Sequence, residues 1–466
     1  MNYISTRGLA APLGFEDVLL AGLARDGGLY LPETWPKLSA ETIAGLAGRP
    51  FAEVAVEVIE PFTGGAFTRD ELLAMANAAY ATFDHPAVTP LVQIDTNLWI
   101  LELFHGPTLA FKDVAMQLLA RLMDRALRGR GKRVTIVGAT SGDTGGAAIE
   151  AFRGASAVDV IILYPAGRIS DVQRRMMTTP REANVHAVAI DGTFDDCQAL
   201  VKAMFNDHAF RDRMNLAGVN SINWARIVAQ VTYYFTAAVA LGAPHRPVSF
   251  AVPTGNFGDI FAGCVAERMG LPIERLVIGS NVNDILPRAI ASGIYEKRGV
   301  TATMSPSMDI EVSSNFERYL FEAQGRDAAL IRGQMAALAQ SGRFEIRGGP
   351  SRLAQDFGAA SASEAEVAEV IRRTRKASGY MAEPHTACGI IAAERCLPPG
   401  SAPRVVLATA HPAKFPDAME EILGERPSLP ARLGSLMSDE ERTSLLPNDL
   451  GAVERFIEAR AGAGME

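Results

Sequence analysis

The chain has 466 residues, of which 48% are hydrophobic and 21% charged, and its formal net charge is −8. This length suits two or three domains with a sizeable core. The acidic excess argues against a nucleic-acid partner, which relies on concentrated Lys and Arg, and the single basic run, residues 372–376, is expected to be a solvated helix face.

The four cysteines form no CxxC pair, so neither a disulfide framework nor a metal site is indicated. Such thiols suit a reducing cytoplasm, and the N-terminus lacks the charged start and apolar core of a secretory signal. Polar side chains interrupt the long uncharged stretch 227–244, whereas a membrane span needs about 20 mostly apolar residues. We therefore expect a buried core helix there and no contact with a membrane.

Residues 1–90 show a mostly helical pattern broken by prolines, which predicts an N-terminal, mainly helical segment. Beyond it, short β-branched runs alternate with helical stretches, which predicts an α/β fold with mostly parallel sheets. The predicted strands lie at 98–104, 134–137, 158–163, 185–190, 248–252, 276–278 and 405–407. A proline-rich break at 244–247 predicts two α/β lobes, 91–244 and 245–466, and the end of the chain, 461–464, is expected to fray.

Lys112 lies between the strand 98–104 and the first turn of the next predicted helix. Ala110 and Phe111 limit its hydration, and the positive end of the helix dipole disfavours an ammonium group, so both lower its pKa. A neutral amine attacks aldehydes. The alternative is an ordinary lysine in the first turn of a helix that extends into water.

The loop after the strand 134–137 is rich in glycine and hydroxyl groups. Glycines such as Gly142 allow main-chain amides to approach a ligand, while Thr140, Ser141 and Thr144 supply hydroxyls. This composition favours a site for a carboxylate or phosphate. The alternative is a plain turn in which Ser141 or Asp143 caps the following helix.

A second loop, residues 252–260, again joins an apolar strand to a helix. Its exposed amides predict an anion site that can hold a phosphate without a basic side chain. Neither loop has the spacing of a dinucleotide-binding motif or the ending of a P-loop, which disfavours NAD and ATP.

A third loop, residues 405–415, places Thr409 and His411 at the end of a strand, where a hydroxyl could meet a heterocyclic nitrogen. His411 could equally be a structural residue that fixes the turn before Pro412, and His385 has the same two interpretations. An aldehyde-seeking lysine, an amide site for phosphate and a hydroxyl for a ring nitrogen together indicate pyridoxal phosphate.

Motifs along nearly the whole chain resemble those of the threonine synthase family, in the form found in enteric bacteria and fungi, among fold type II pyridoxal phosphate enzymes. The most specific are LELFHGPTLAFKD at 101–113 and TAHPAKF at 409–415. The others lie at 139–145, 190–195, 220–223, 254–259 and 280–284. The resemblance implies two open, mostly parallel twisted sheets flanked by helices, with the helical segment 1–90 as an appendage.

The resemblance also implies roles for individual residues. Lys112, next to Phe111, would bind pyridoxal 5'-phosphate as a Schiff base, and Thr409 would face the pyridine nitrogen. The cofactor phosphate would lie against Gly255, Asn256, Phe257, Gly258 and Asp259. The substrate carboxylate would lie against Thr140, Ser141, Gly142, Asp143 and Thr144. Many relatives have Asn at the position of Asp143, beside the cofactor's 3'-oxygen, so a carboxylate there would have to share a proton with that oxygen.

Candidates for binding the substrate phosphate are Arg168, Ser170, Asn220, Asn223 and Arg226, and no metal is expected. The implied reaction is that of a carbon–oxygen lyase, converting O-phosphohomoserine and water to L-threonine and phosphate by γ-elimination and β-addition of water. A cytoplasmic monomer or homodimer is expected. Two alternatives remain at this point: a lyase similar to serine and threonine dehydratases, and a non-catalytic α/β protein that binds a phosphorylated metabolite.

Overall fold

The computed structural model describes residues 1–400 and 402–461. Most of the segment predicted to fray, from residue 462 on, lies outside these ranges. The N-terminal part consists of short strands and helices. Its elements are β1 (Tyr3–Ser5), α1 (Phe15–Ala21), β2 (Tyr30–Pro32), α2 (Ala40–Ala44), α3 (Phe51–Thr63) and α4 (Arg69–Tyr80).

Strands and helices then alternate through the middle of the chain. They are β3 (Leu91–Asp95), β4 (Leu98–Glu102), α5 (Lys112–Gly129), β5 (Val134–Ala139), α6 (Asp143–Phe152), β6 (Val158–Pro165), α7 (Asp171–Thr178), β7 (Val185–Asp191), α8 (Phe194–Asn206), α9 (His208–Arg213), β8 (Leu216–Ala217) and α10 (Trp224–Ala240).

The remaining part continues this alternation. It contains β9 (Val248–Pro253), α11 (Gly258–Arg268), β10 (Ile273–Ser280), α12 (Ile285–Ser292), β11 (Ile294–Glu296), α13 (Phe316–Ala323), α14 (Ala328–Ser341), β12 (Arg343–Glu345), α15 (Gly349–Asp356), β13 (Phe357–Ser361), α16 (Glu364–Ser378), α17 (Pro384–Cys396), β14 (Arg404–Ala408), α18 (Pro416–Leu423), β15 (Thr443–Pro447) and α19 (Leu450–Glu458). Short 3-10 helices lie at Pro306–Met308, Pro412–Lys414 and Ala431–Leu433.

Two open sheets organise the described residues. The first sheet has five strands in the order β15-β7-β6-β5-β8, all parallel. The second sheet has six strands in the order β13-β10-β9-β14-β4-β3, parallel except for the β3–β4 pair. All eight residues of β6 are buried, as expected for a parallel strand covered by helices on both faces. The predicted fold class, with two mostly parallel sheets, is confirmed.

The strands of the two sheets are not separated by a single point in the sequence, which corrects the division at residue 244. The strands β3 and β4 precede that point but pair within the second sheet, and β15 follows it but pairs within the first. Within the described residues the chain therefore crosses between the sheets in three segments, 103–133, 218–247 and 409–442. Hydrogen bonding between neighbours in space decides which sheet a strand joins, and sequence order alone does not reveal it.

The N-terminal part packs against α10 and α13. The ring of Trp224, at the start of α10, contacts the rings of Tyr3, Trp35 and Phe62. The carboxylate of Glu317 accepts hydrogen bonds from the Thr6 hydroxyl and the neighbouring arginine side chain. Residues 1–90 are therefore joined to the α/β body by a shared aromatic core and a partly buried ion pair.

The stretch expected to be a core helix is α10, which is almost entirely buried. None of the helices in residues 1–400 and 402–461 combines the length and apolarity needed to cross a membrane. All four cysteines are free thiols. The same ranges hold no group of three or more side chains placed to bind a metal ion. The basic run 372–376 lies on α16, where Arg373 and Arg375 form exposed ion pairs with glutamates.

Candidate active site

Lys112 is the first residue of α5, and its side chain is only 11% exposed. Its amine Nζ lies 3.3 Å from Asp143 Oδ2, 3.4 Å from Ser307 Oγ and 5.4 Å from the centre of the Phe111 ring. Burial lowers the pKa of Lys112, the Asp143 carboxylate opposes this effect, and the positive charges of Lys414 and Arg226 lower the pKa further. The alternative of a lysine that extends into water does not fit this geometry.

Asp143 lies at the centre of a set of hydrogen-bond donors. Besides Lys112, its carboxylate accepts from Lys414 Nζ at 2.6 Å, Gln173 Nε2 at 2.9 Å and Ser307 Oγ at 3.1 Å. Burial favours the neutral acid, but the two lysines outweigh it and hold the pKa of Asp143 well below its usual range. These partners therefore favour the ionised carboxylate.

The alternative in which Asp143 or Ser141 caps α6 is not observed. The residue before the helix is Gly142, and no side chain caps the first turn. Gly142 has φ 143°, a conformation that L side chains rarely adopt, and a Cβ atom there would lie 2.5 Å from the Gln173 side chain. The glycine thus allows the Gln173 amide to reach Asp143.

The hydroxyls of the loop 140–144 have different roles. Thr140 is buried, and its Oγ1 accepts hydrogen bonds from the amides of Gly142 and Gly145, both at 3.0 Å. It therefore shapes the loop. Ser141 is exposed and Thr144 half-buried, which leaves these two hydroxyls accessible to a ligand.

The loop before α11 is held in an unusual conformation. Phe257 has φ 62°, and its buried ring packs against Phe316, Tyr319 and Phe357. No side chain caps α11, so its first amides, which have no acceptor within the helix, are available to an anion. The exposed Asn256 and the half-buried Gly255 and Gly258 lie at this helix end. A Cβ atom at Gly255 would lie 2.7 Å from the Ser307 carbonyl, so this position brings the loop close to the surroundings of Lys112.

Asp259 differs from the other residues of this loop. Its carboxylate accepts hydrogen bonds from the Tyr233 hydroxyl at 2.5 Å and the Tyr234 hydroxyl at 3.1 Å, both on α10. Burial raises the pKa of Asp259 to about 7. The side chain joins α11 to α10, so only the main-chain amide of Asp259 can face an anion.

Among the candidates for the substrate phosphate, Arg226 is the most notable. The side chain is buried, one guanidinium nitrogen donates to the Val219 carbonyl at 3.2 Å, and Nε has no hydrogen-bond partner among the described residues. Burial lowers the pKa of Arg226 to about 10, and its charge is close enough to lower the pKa of Lys112. A buried guanidinium with a free donor beside a reactive amine is suited to binding an anion.

The other candidates are placed less favourably. Asn223 is fully buried, caps α10 by accepting from the Ala225 amide, and donates to the Leu19 carbonyl, so its amide has a structural role. Ser170 caps α7 and lies 3.4 Å from the main-chain oxygen of Lys414. Arg168 and Asn220 are exposed.

The third loop lies beside Lys112. The main-chain oxygen of Thr409 accepts from the Phe111 amide at 2.8 Å, whereas its buried side-chain hydroxyl forms no hydrogen bond with other described residues. His411 Nδ1 accepts a hydrogen bond from the Ala413 amide. This contact favours the interpretation of His411 as a structural residue that fixes the turn. His385 is buried, with Nδ1 bonded to Glu383 and Nε2 accepting from the amide of Ser307.

Three residues of the site were not identified from the sequence. Lys414 lies in the motif 409–415, where no local pattern indicates its burial, and Ser307 lies in the short 3-10 helix Pro306–Met308, outside every predicted strand and motif. Gln173 is one of several polar residues on α7. Only their distances to Asp143 reveal them. The site as a whole fits pyridoxal phosphate, because an amine of lowered pKa, an uncapped helix end and a free hydroxyl match its aldehyde, phosphate and ring nitrogen.

Family models match nearly the whole chain. The model described as threonine synthase N terminus matches residues 2–80, that of pyridoxal-phosphate dependent enzymes matches 82–409, and that described as threonine synthase, C-terminal, matches 386–457. The threonine synthase of Pseudomonas aeruginosa is 50% identical, with 100% of this chain and 99% of that protein covered. The threonine synthase of Saccharomyces cerevisiae is 41% identical, with 97% and 95% covered.

Solved structures agree with these matches. The crystal structure of threonine synthase from Brucella melitensis with bound pyridoxal phosphate superimposes with a TM-score of 0.97 at 59% identity, covering 99% of this chain and 100% of that one. The Escherichia coli threonine synthase has a TM-score of 0.83 at 33% identity, with 98% and 100% covered.

Proposed function

The chain belongs to the threonine synthase family of pyridoxal phosphate enzymes, and we propose that Lys112, Asp143, Arg226 and Thr409 form the centre of its active site. Its reaction is the conversion of O-phosphohomoserine and water to L-threonine and phosphate. The observation that carries the residue assignment is the Lys112 amine, which lies 3.3 Å from the Asp143 carboxylate and 3.4 Å from Ser307, a residue that also lies against Gly255 in the loop before the uncapped α11.

Lys112 serves first as the point of attachment of the cofactor and then as the base. When bound, pyridoxal phosphate withdraws electron density from the substrate carbon that loses its proton. Lys112, once released from the cofactor, accepts the proton from the α-carbon, and its lowered pKa favours the neutral amine that this step requires. With the cofactor bound, Lys112 would pass this proton to it and so regain the neutral form, which can accept a proton from the β-carbon as phosphate leaves the γ-carbon.

Asp143 and Ser307 orient this amine. Both accept hydrogen bonds from the Lys112 amine, and the Ser307 hydroxyl also donates to Asp143. The Ser307 amide is fixed in turn by His385, whose ring is held by Glu383. This chain of hydrogen bonds restricts the directions in which Lys112 can transfer a proton.

The two phosphates of the reaction require separate sites. The amides of residues 255–259 are suited to the cofactor phosphate, with no basic side chain needed. Arg226, with its free Nε, is suited to the substrate phosphate. Ser141 and Thr144 are accessible to the substrate carboxylate, and Thr409 supplies a free hydroxyl for the cofactor ring nitrogen.

The setting of the enzyme is also part of this proposal. A net charge of −8 supports the absence of a nucleic-acid partner, and the four free thiols support a reducing compartment such as the cytoplasm. We expect a monomer or homodimer that acts on a small molecule. Sedimentation of the purified protein at several concentrations measures this state directly, and a larger assembly would contradict it.

The direct test is phosphate release from O-phosphohomoserine, with chiral chromatography of the amino acid that forms. We expect equal amounts of phosphate and L-threonine, and little turnover of unphosphorylated serine or threonine. Borohydride reduction followed by peptide mass spectrometry should place the cofactor on Lys112. Attachment to another peptide would overturn the site, and turnover of serine alone would indicate a dehydratase.

A further inference from the structure

Lys414 lies next to the reactive amine and has no part in the function proposed so far. Its side chain is buried, and its Nζ is 2.6 Å from Asp143 Oδ1 and donates to the Thr108 carbonyl at 2.8 Å. Asp143 thus lies between two lysines, bonded to Lys414 through one carboxylate oxygen and to Lys112 through the other. The contact to Lys414 is the shorter of the two.

We propose that Lys414 is a positioning residue. Its ammonium group pairs with the Asp143 carboxylate and so leaves the Lys112 amine in its neutral, reactive form. This inference rests on the proposed function in taking Lys112 as the reactive amine. A bare carboxylate 3.3 Å from Lys112 would stabilise its ammonium form. With Lys414 bound to the same carboxylate, Lys112 faces a pair of zero net charge. Asp143 can then accept a hydrogen bond from Lys112 without holding the amine in its protonated state.

The contacts of Asp143 and Lys414 make this arrangement rigid. Gln173 donates to the same carboxylate oxygen as Lys414, and Ser307 donates to the oxygen that faces Lys112. Thr108, which accepts from Lys414, also donates its amide and hydroxyl to Asp113. Lys414 therefore has fixed partners on both sides and cannot move toward Lys112 without breaking them.

Other titratable groups also face this pair. Asp113 on α5 is buried, and burial raises its pKa to about 6. Arg226 on α10 adds positive charge near Lys112. His385 on α17 contacts the Ser307 amide and is already bonded to Glu383. None of the three contacts Asp143 directly among the described residues, whereas Lys414 does, so Lys414 is the group placed to offset the Asp143 charge.

The test measures the basicity of Lys112 in the full-length protein prepared without cofactor. Trace acetic anhydride labels neutral amines, and mass spectrometry of peptides reports the labelling of Lys112 as a function of pH, with the exposed Lys376 as the internal reference. We expect Lys414→Met to move the half-labelling pH of Lys112 upward, so that labelling at pH 8 falls about tenfold, the change that one pKa unit produces. Lys414→Arg, which retains the charge, should restore labelling.

Asp143→Asn should have the opposite effect, because it leaves Lys112 facing a lone cation, and labelling at pH 8 should rise. The double variant Asp143→Asn/Lys414→Met removes both charges and should return to about the wild-type value. It also keeps the inference testable if Lys414→Met fails to fold, since it leaves no unpaired buried charge.

In the enzyme with bound cofactor, the acidic limb of the pH dependence of kcat/KM should move to higher pH in Lys414→Met. The inference is overturned if the half-labelling pH of Lys112 is the same in folded Lys414→Met and wild type, or if the half-labelling pH in the double variant does not return to about the wild-type value. Failure of the proposed function is seen separately, as borohydride attachment of the cofactor away from Lys112 in the wild type.

Discussion

At the scale of single residues, the lowered pKa of Lys112 comes mainly from its burial. The sequence indicated a lysine at a helix start with apolar neighbours, and both features are present. The cations that lower its pKa further, Lys414 and Arg226, are distant in sequence, so no local pattern could reveal them. The same holds for the ionisation of Asp143, which depends on a lysine 271 positions away in the chain.

Replacement of Lys112 by Ala removes both the attachment point and the base. We expect turnover to fall by at least about 10³-fold, within the range found for loss of general acid–base groups, and borohydride to attach no cofactor to this peptide. Lys376→Ala, on the exposed face of α16, should retain full activity. Retained turnover in Lys112→Ala would contradict the assignment.

Asp259 should make the stability of the protein depend on pH. Its pKa is raised to about 7 in the folded state, above the value of about 3.9 in an unfolded chain. The folded state therefore keeps a proton that the unfolded state loses, and this contribution to stability is fully present below pH 4 and is lost as the pH rises to about 7. Asp259→Asn resembles the protonated acid and avoids the loss.

The free energy of unfolding, measured with denaturant from pH 4.5 to pH 8, should therefore favour Asp259→Asn over wild type increasingly with pH. The difference should reach at most about 4 kcal/mol and level off above pH 7. The exposed Asp95→Asn serves as the control and should run parallel to wild type. A constant difference between Asp259→Asn and wild type would show that the carboxylate is ionised throughout.

At the scale of elements, runs of β-branched residues correctly predicted strands, whereas a strand composed of small residues was not predicted. All strands predicted from such runs are present, because these side chains pack well in a buried parallel sheet. The edge strand β13 consists of Phe357 followed by glycine, alanines and a serine, which are poor strand formers, and it exists only because β10 provides a partner. The ends of the strands indicated which loops hold candidate site residues, but not the direction of each side chain: Asp259 faces α10 and Asn223 caps it.

Gly142 offers a test of the loop before α6. Gly142→Ala should be destabilising by about 1–3 kcal/mol from backbone strain and should also displace Gln173 from Asp143, because the new Cβ would lie 2.5 Å from that side chain. We expect a large loss of activity. Gly333→Ala, in the middle of α14 with open space around it, should instead stabilise the protein by about 0.5–1 kcal/mol. Thermal unfolding and phosphate release measure both effects, and equal behaviour of the two variants would refute the explanation.

At the scale of the whole molecule, each chain crossing between the sheets carries part of the site. The first crossing, 103–133, carries Lys112, the second, 218–247, carries Arg226, and the third, 409–442, carries Thr409 and Lys414. The sequence revealed two groups of strands but not their assignment to sheets, since β15 pairs with β7 through residues that lie 256 positions apart in the chain. The position of the domain boundary could not be predicted for that reason.

Substrate binding should bring the two sheets closer together. Water must be kept from the reacting atoms until the addition step, and Ser307, which follows the second sheet's β10, already bonds to Asp143 beyond the first sheet's β5. We expect a substrate analogue to reduce the radius of gyration in X-ray scattering and to slow hydrogen exchange in loops 140–144 and 255–259. Inorganic phosphate alone is the control. Superimposable profiles and unchanged exchange with the analogue would exclude closure.

The three crossings also determine how the enzyme can fail. A rotation that opened the cleft would act on the Lys112 amine, the Arg226 guanidinium and the Lys414 amine together, since each of these groups lies on a connecting segment. We therefore expect partial opening to stop the reaction altogether, without release of half-processed substrate. In this architecture, the accuracy of product formation depends on the three chain segments that connect the two sheets.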